Sequence, residues 1–164
     1  QLWVNLPARD KLAPPRYQTV LDRDIPVVAL PGESGQLRVI AGDFACQAGP
    51  AQTFTPINVW DLRLKAGRSA SLDVPEGHNA VLVALNDTVR VNGTDDVPAS
   101  RYVVFGQTGG GISVEAQVED VKCLVLTGVP LDELIAGYGP FVINTEDDIR
   151  QAFADYQQGR FCTM

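Results

Sequence analysis

One histidine and three cysteines limit the chemistry open to this 164-residue chain. The histidine, His78, lies in Pro75-Glu-Gly-His-Asn79, between two apolar segments. A catalytic zinc or non-haem iron centre takes two or three imidazoles, usually with a carboxylate. One imidazole cannot supply that set, so His78 reads as an exposed turn residue. A serine or cysteine nucleophile would need the same imidazole as its base, and no Gly-x-Ser-x-Gly elbow occurs. Cys46, Cys123 and Cys162 are far apart and form no Cys-x-x-Cys pair. That odd, sparse set makes no disulfide framework and points to a reducing compartment, so a cytoplasmic location is expected. Gly106-Gln-Thr-Gly-Gly-Gly111 lacks the Lys-Ser/Thr that completes a phosphate loop, and it precedes a strand instead of a helix. It reads as a strand-to-strand turn. Residue types and spacing thus assign no catalytic and no cofactor-binding residue.

The charge balance narrows the partners. Twenty acidic residues against 13 basic ones give a net charge of −7, and the basic residues are scattered. Binding a polyanion takes a basic stripe, so direct nucleic-acid binding is not expected. An anionic membrane surface is disfavoured for the same reason. No run approaches the roughly 18 apolar residues of a spanning helix. With 45% apolar and 20% charged residues the composition is globular. A chain of this length buries about 70% of its unfolded surface and folds without a disulfide or metal staple.

The elements that must position any site are mostly short strands. Residues 1–7 alternate, with Leu2, Val4 and Leu6 on one face and Trp3 and Asn5 on the other, and read as a strand stopped by Pro7. Residues 8–36 contain Pro14, Pro15, Pro26 and Pro31 and read as a linker with one short strand. Strands are predicted over 37–44 and 59–64, with a loop over 47–58. In 69–74, Ala70, Leu72 and Val74 face one way and Ser69, Ser71 and Asp73 the other, a half-buried strand. Residues 80–85 are continuously apolar and read as a fully buried strand. Asn92-Gly93, after a strand over 88–91, suits a tight hairpin. Further strands over 101–105, 112–116 and 121–126 complete an antiparallel sandwich or small barrel. The period then changes. Thr145-Glu-Asp-Asp148 has the form of a capping box, Ile149, Ala152, Phe153 and Tyr156 follow helical spacing, and Gly159 supplies the stop. The chain begins at Gln1 and its one methionine is Met164, so it is expected to be part of a longer protein.

Gln1-Leu-Trp-Val-Asn-Leu-Pro7, followed by Pro15-Arg-Tyr-Gln18 and Ile25-Pro26, resembles the segment that joins the two halves of pirins, which are two-domain cupin proteins. Gly128-Val-Pro-Leu-Asp-Glu133, Gly139-Pro-Phe-Val-Ile-Asn-Thr145 and Ala152…Asp155-Tyr-Gln157…Gly159-Arg-Phe161 resemble the pirin C-terminal signature. The resemblance implies an all-β, cupin-type antiparallel barrel or sandwich (a jelly roll) with a C-terminal α-helix. Residues 1–20 would be a remnant strand and interdomain linker, 21–143 the C-terminal cupin-like β-domain, and 144–164 the helix and tail.

In pirins the iron ligands, histidines with a glutamate, lie in the N-terminal cupin, so iron is expected in that half of the parent and none in this chain. The general cupin pattern Gly-x5-His-x-His, counted from Gly67, puts Asp73 and Pro75 at the histidine positions. His78, three residues on, cannot replace either by strand alternation. Some family members have iron-dependent quercetin 2,3-dioxygenase-like activity; others are transcriptional cofactors or enzyme partners. This chain is accordingly expected to be a metal-free structural and interaction domain. The alternative is that it shapes the pocket of a parent dioxygenase. Expected partners are its own N-terminal cupin domain, another protein, and a second copy by strand exchange through Leu2, Trp3, Val4 and Leu6.

Overall fold

The computed structural model describes residues 2–160, so the expectations attached to Gln1, Phe161 and Cys162 lie outside the described residues. In chain order the strands are β1 (Val27–Ala29), β2 (Gly35–Ala41), β3 (Asp43–Phe44), β4 (Gln47–Ala48), β5 (Ile57–Leu64), β6 (Ser69–Asp73) and β7 (Asn79–Ala84). They continue with β8 (Val89–Val91), β9 (Asp95–Val97), β10 (Tyr102–Phe105), β11 (Gly111–Ala116), β12 (Val121–Gly128), β13 (Ala136–Tyr138) and β14 (Phe141–Ile143), before the helix α1 (Glu146–Gln157). Among the described residues two compact units result: 17–130, and 2–16 with 131–160.

The larger unit is a sandwich. A six-stranded sheet runs β1-β2-β5-β12-β7-β10 and a four-stranded sheet runs β6-β11-β8-β9. Period-two alternation puts one face of each sheet inside. In the larger sheet a row of opposed residues, Val39–Trp60–Val125–Leu82–Val103, crosses five strands on the inner face. Leu72, Val89, Val91, Ile112 and Val114 answer it from the smaller sheet. The hairpin read from Asn92-Gly93 forms between β8 and β9, with φ of 51° and 72° at the two positions. The six-strand and four-strand layers make the β architecture a sandwich, with no closure into a barrel.

Two strand expectations need correction. Residues 80–85 are not buried on both sides: Ala80, Leu82 and Ala84 face the core, Val81 and Val83 are partly buried, and Leu85 is half exposed. Continuous apolarity here marks an inner face packed on the core and an outer face that is also apolar. Residues 2–7 form no strand. Their alternation lacks a neighbour to complete a ladder, and Trp3 is 79% exposed. The chain is tied just beyond, where Ala8 N donates to Glu133 Oε2 at 2.7 Å and Lys11 Nζ to Asn5 Oδ1 at 2.7 Å. Glu133 Oε2 also accepts from Asn144 Nδ2 at 3.1 Å, so Glu133 and Asn144 of two signature motifs meet in the smaller unit.

α1 begins as its sequence dictates. Thr145 Oγ1 accepts from Asp148 N at 3.2 Å while Thr145 N donates to Asp148 Oδ2 at 3.1 Å, closing the capping box. It ends in a Schellman motif: Arg160 N donates to Asp155 O and Gly159 N to Tyr156 O, with Gly159 at φ 68°. Ile149 and Ala152 are buried, and Phe153 meets Phe141 edge-on at 5.0 Å and Tyr138 at 5.6 Å. Tyr156, read as part of the buried stripe, is 64% exposed. The β13–β14 hairpin that receives Phe153 was not anticipated.

The outer face of the six-stranded sheet is divided. Toward β10 it is apolar, in the opposed rows Leu124–Val83–Tyr102 and Leu126–Val81–Val104. Toward β2 it is ionic: Asp61 accepts from Arg38 at 3.1 Å and Arg63 at 2.7 Å, and Arg38 also pairs with Asp22.

Candidate functional site

A cavity of about 810 Å³ opens beside β5 and β6. Its walls come from Asp43, Phe44 and Ala45 of the β3–β4 hairpin, from residues 53–58 and Trp60, and from Ser71, Asp73, Pro75 and His78. Gly42 lets the hairpin approach β5. It sits at φ 73°, and a Cβ there would lie 2.0 Å from Asn58 Oδ1. At the hairpin tip Ala45 and Cys46 both hold positive φ, 47° and 63°, where the Asn-Gly type of pair is favoured. Left-handed backbone in non-glycine residues costs about 1 kcal/mol each, so the rim of the cavity is held in a strained turn.

Behind the rim runs a short polar chain. Asp43 N donates to Asn58 Oδ1 at 3.1 Å, and Asn58 Nδ2 donates to the buried Thr127 Oγ1 at 2.9 Å. His78 Nδ1 lies 3.3 Å from the same hydroxyl. His78 is therefore a partly buried wall residue, which corrects its reading as an exposed turn histidine. Its position follows from a turn rather than a strand: His78 N donates to Pro75 O at 3.2 Å and Gly77 is at φ 82°. Strand alternation does not apply across such a turn, and Asp73, Pro75 and His78 line one cavity.

The donor set does not fit an iron centre. The cavity is lined by one imidazole, His78, and two carboxylates, Asp43 and Asp73, and among the described residues no group of three His, Cys, Asp or Glu could hold a metal ion. Elsewhere, Cys123 is buried, and burial with the nearby Asp61 charge pushes its thiol up to about 12, leaving it protonated and unreactive at neutral pH. Cys46 is an exposed free thiol. The glycine-rich turn at 106–111 joins β10 to β11 as read, and borders a smaller cavity of about 150 Å³.

Sequence reasoning missed the cavity and its polar chain. A signal existed. Asn58 is in phase with the core-facing Trp60, Leu62 and Leu64, and Thr127 with Val121, Cys123 and Val125. A polar residue on an inner face is either satisfied by a neighbour or functional.

Comparison with known proteins places this geometry in a family. Residues 59–162 match the pirin C-terminal cupin domain. A Pseudomonas aeruginosa protein with the provisional name quercetin 2,3-dioxygenase is 49% identical over 161 residues, covering 98% of this chain and 56% of that protein. A pirin-like protein of Solanum lycopersicum is 35% identical, covering 98% of this chain and 55% of that one. The crystal structure of a quercetin 2,3-dioxygenase from Acinetobacter baumannii superposes with a TM-score of 0.91 at 45% identity, over 97% of this chain and 55% of that one. The chain thus spans slightly more than half the length of these relatives, and the match covers its sheets and helix alike. It belongs to the pirin family, of which it holds the C-terminal cupin domain.

Proposed function

We propose that this chain serves as a metal-free cupin domain that supports and docks a second cupin domain in its parent protein, and that the iron of the parent resides in that other domain. The carrying observation is the outer face of the six-stranded sheet. A solvent-facing sheet alternates apolar-in with polar-out, yet here Leu124, Leu126, Val81, Val83, Tyr102 and Val104 form two opposed rows facing outward. Tyr102 and Val104, at the β10 edge, are 69% and 63% exposed. A contiguous apolar patch of this kind marks an interaction surface. The remaining length of the relatives supplies a domain to cover it. Asp73 and Pro75 at the cupin ligand positions support the metal-free role. The ionic end of the same face, built on Arg38, Asp61 and Arg63, would fix the register of docking, since charge at an interface rim gives orientation more than affinity. Dioxygenase chemistry, named for two of the relatives, falls on this reading to the other domain, and a cytoplasmic location follows the free thiols.

Two measurements test the proposal. Incubated with Fe(II) and desalted, the chain should retain far less than one iron, and about one iron per chain would refute the metal-free role. The separately expressed upstream half of the parent should co-purify with this chain, and Val81→Arg with Val104→Arg should abolish co-purification while leaving the fold intact by circular dichroism. Co-purification that survives both substitutions would place the docking surface elsewhere.

A further inference from the structure

The 810 Å³ cavity is within the size range of pockets that hold small organic molecules, and its walls specify a charge. Two carboxylates, Asp43 and Asp73, and three aromatic rings, Phe44, Phe54 and Trp60, line it, while no lysine or arginine stands among the described lining residues. Anions are unfavourable there. A cation gains both from the carboxylates and from the rings of Phe44 and the partly exposed Phe54. A second observation concerns Trp60 itself. It is 2% exposed, and its Nε1 is the one buried side-chain nitrogen or oxygen among the described residues without a hydrogen-bond partner. A buried donor left unpaired costs about 1–3 kcal/mol; Trp60 lies beneath the rim and senses a ligand there through the Phe44 ring packed on it. The rim is also built to be specific: the hairpin carrying Phe44 is held in its strained tip and clamped at Gly42, and Phe44 stands edge-on to Trp60 at 5.2 Å.

We propose that this cavity binds a small organic cation, with Asp73 and the rings of Phe44 and Phe54 taking the cationic head. The site is independent of any metal and of the docking face.

Trp60 supplies its own reporter. The chain has two tryptophans, so Trp3→Phe leaves Trp60 alone as the fluorophore. Acetylcholine, with a quaternary head and an ester carbonyl, is the probe. 3,3-Dimethylbutyl acetate, the same shape without the charge, is the control, and benzoate is the anionic control. Acetylcholine should change Trp60 emission saturably, and the neutral isostere should bind at least about tenfold more weakly. Asp73→Asn, at an exposed position on an edge strand, should weaken acetylcholine by about tenfold without lowering the unfolding midpoint. Ser71→Arg should abolish binding by placing a cation on the wall. Equal binding of the isostere, tighter binding of benzoate, or no saturation by acetylcholine up to about 10 mM would each overturn the proposal.

Discussion

Asp61 shows how a single carboxylate on the sheet is tuned. Burial alone pushes its carboxyl up, but hydrogen bonds and positive charge from Arg63 and Arg38 outweigh burial and hold it below the usual carboxylate range. A carboxyl depressed in the folded state adds stability that is present above its unfolded value of about 4 and is lost as pH falls through the folded one. Asp61→Asn should therefore cost about 1–2 kcal/mol at neutral pH. The figure is modest because Arg63 is 39% exposed and Asp22 still pairs with Arg38. Denaturant unfolding at about pH 7 and about pH 3 checks this, with wild type and variant converging in acid. A difference that persists undiminished in acid would mean that Asp61 acts through packing. Such residue-level roles were only partly legible in the sequence. Asp73 and Pro75 are read from a cupin pattern that counts along the sequence from Gly67. Thr127 and Asn58 could not be joined to His78, because their meeting depends on the pairing of three strands distant in sequence.

Elements read best where one face alone decides them. The period-two segments that became β5, β11 and β12 each bury alternate residues, β6 buries Leu72 with Ala70 partly covered, and the capping box fixed the start of α1 to the residue. The failures share a cause. Residues 2–7 alternate as well as any true strand, but a strand exists only through its neighbour's hydrogen bonds, and none is supplied to them. The β13–β14 hairpin is three residues per strand, too short for a period to show, and its turn at Gly139 precedes the helix that needs it. That hairpin makes the helix testable. Phe153 rests edge-on against Phe141 and Tyr138, whereas Tyr156 is largely exposed. Phe153→Ala should destabilise α1 by about 2 kcal/mol, short of a fully buried ring, and Tyr156→Ala by under about 1 kcal/mol. Thr145→Ala should cost about 1 kcal/mol through the lost cap. Amide exchange along α1 reads all three; equal losses at Phe153 and Tyr156 would show that the ring contacts do not hold the helix.

For the whole molecule, the open question is what covers its apolar surface. Two candidates compete in the isolated chain: the outer sheet face, and the segment Leu2, Trp3, Val4 and Leu6. The segment's backbone joins no sheet, and Leu2, Trp3 and Val4 are each at least half exposed. An alternating apolar segment with unpaired backbone groups is a template for pairing with a sheet edge of another chain. Exchange of such a segment between two copies is a low-cost route to a dimer, and the proline-stiffened stretch after it gives the reach. Electrostatics opposes association: two copies at −7 each repel, so the dimer should strengthen as salt screens that repulsion. The full chain is therefore expected to show a dimeric mass by light scattering, shifted toward the dimer by added salt, and removal of residues 1–8 should return it to monomer. Val104→Arg, on the sheet face, should leave the dimer in place. A dimer that survives the deletion but falls apart with Val104→Arg would transfer self-association to the sheet face, and monomeric mass for both the full and the shortened chain would end the exchange idea.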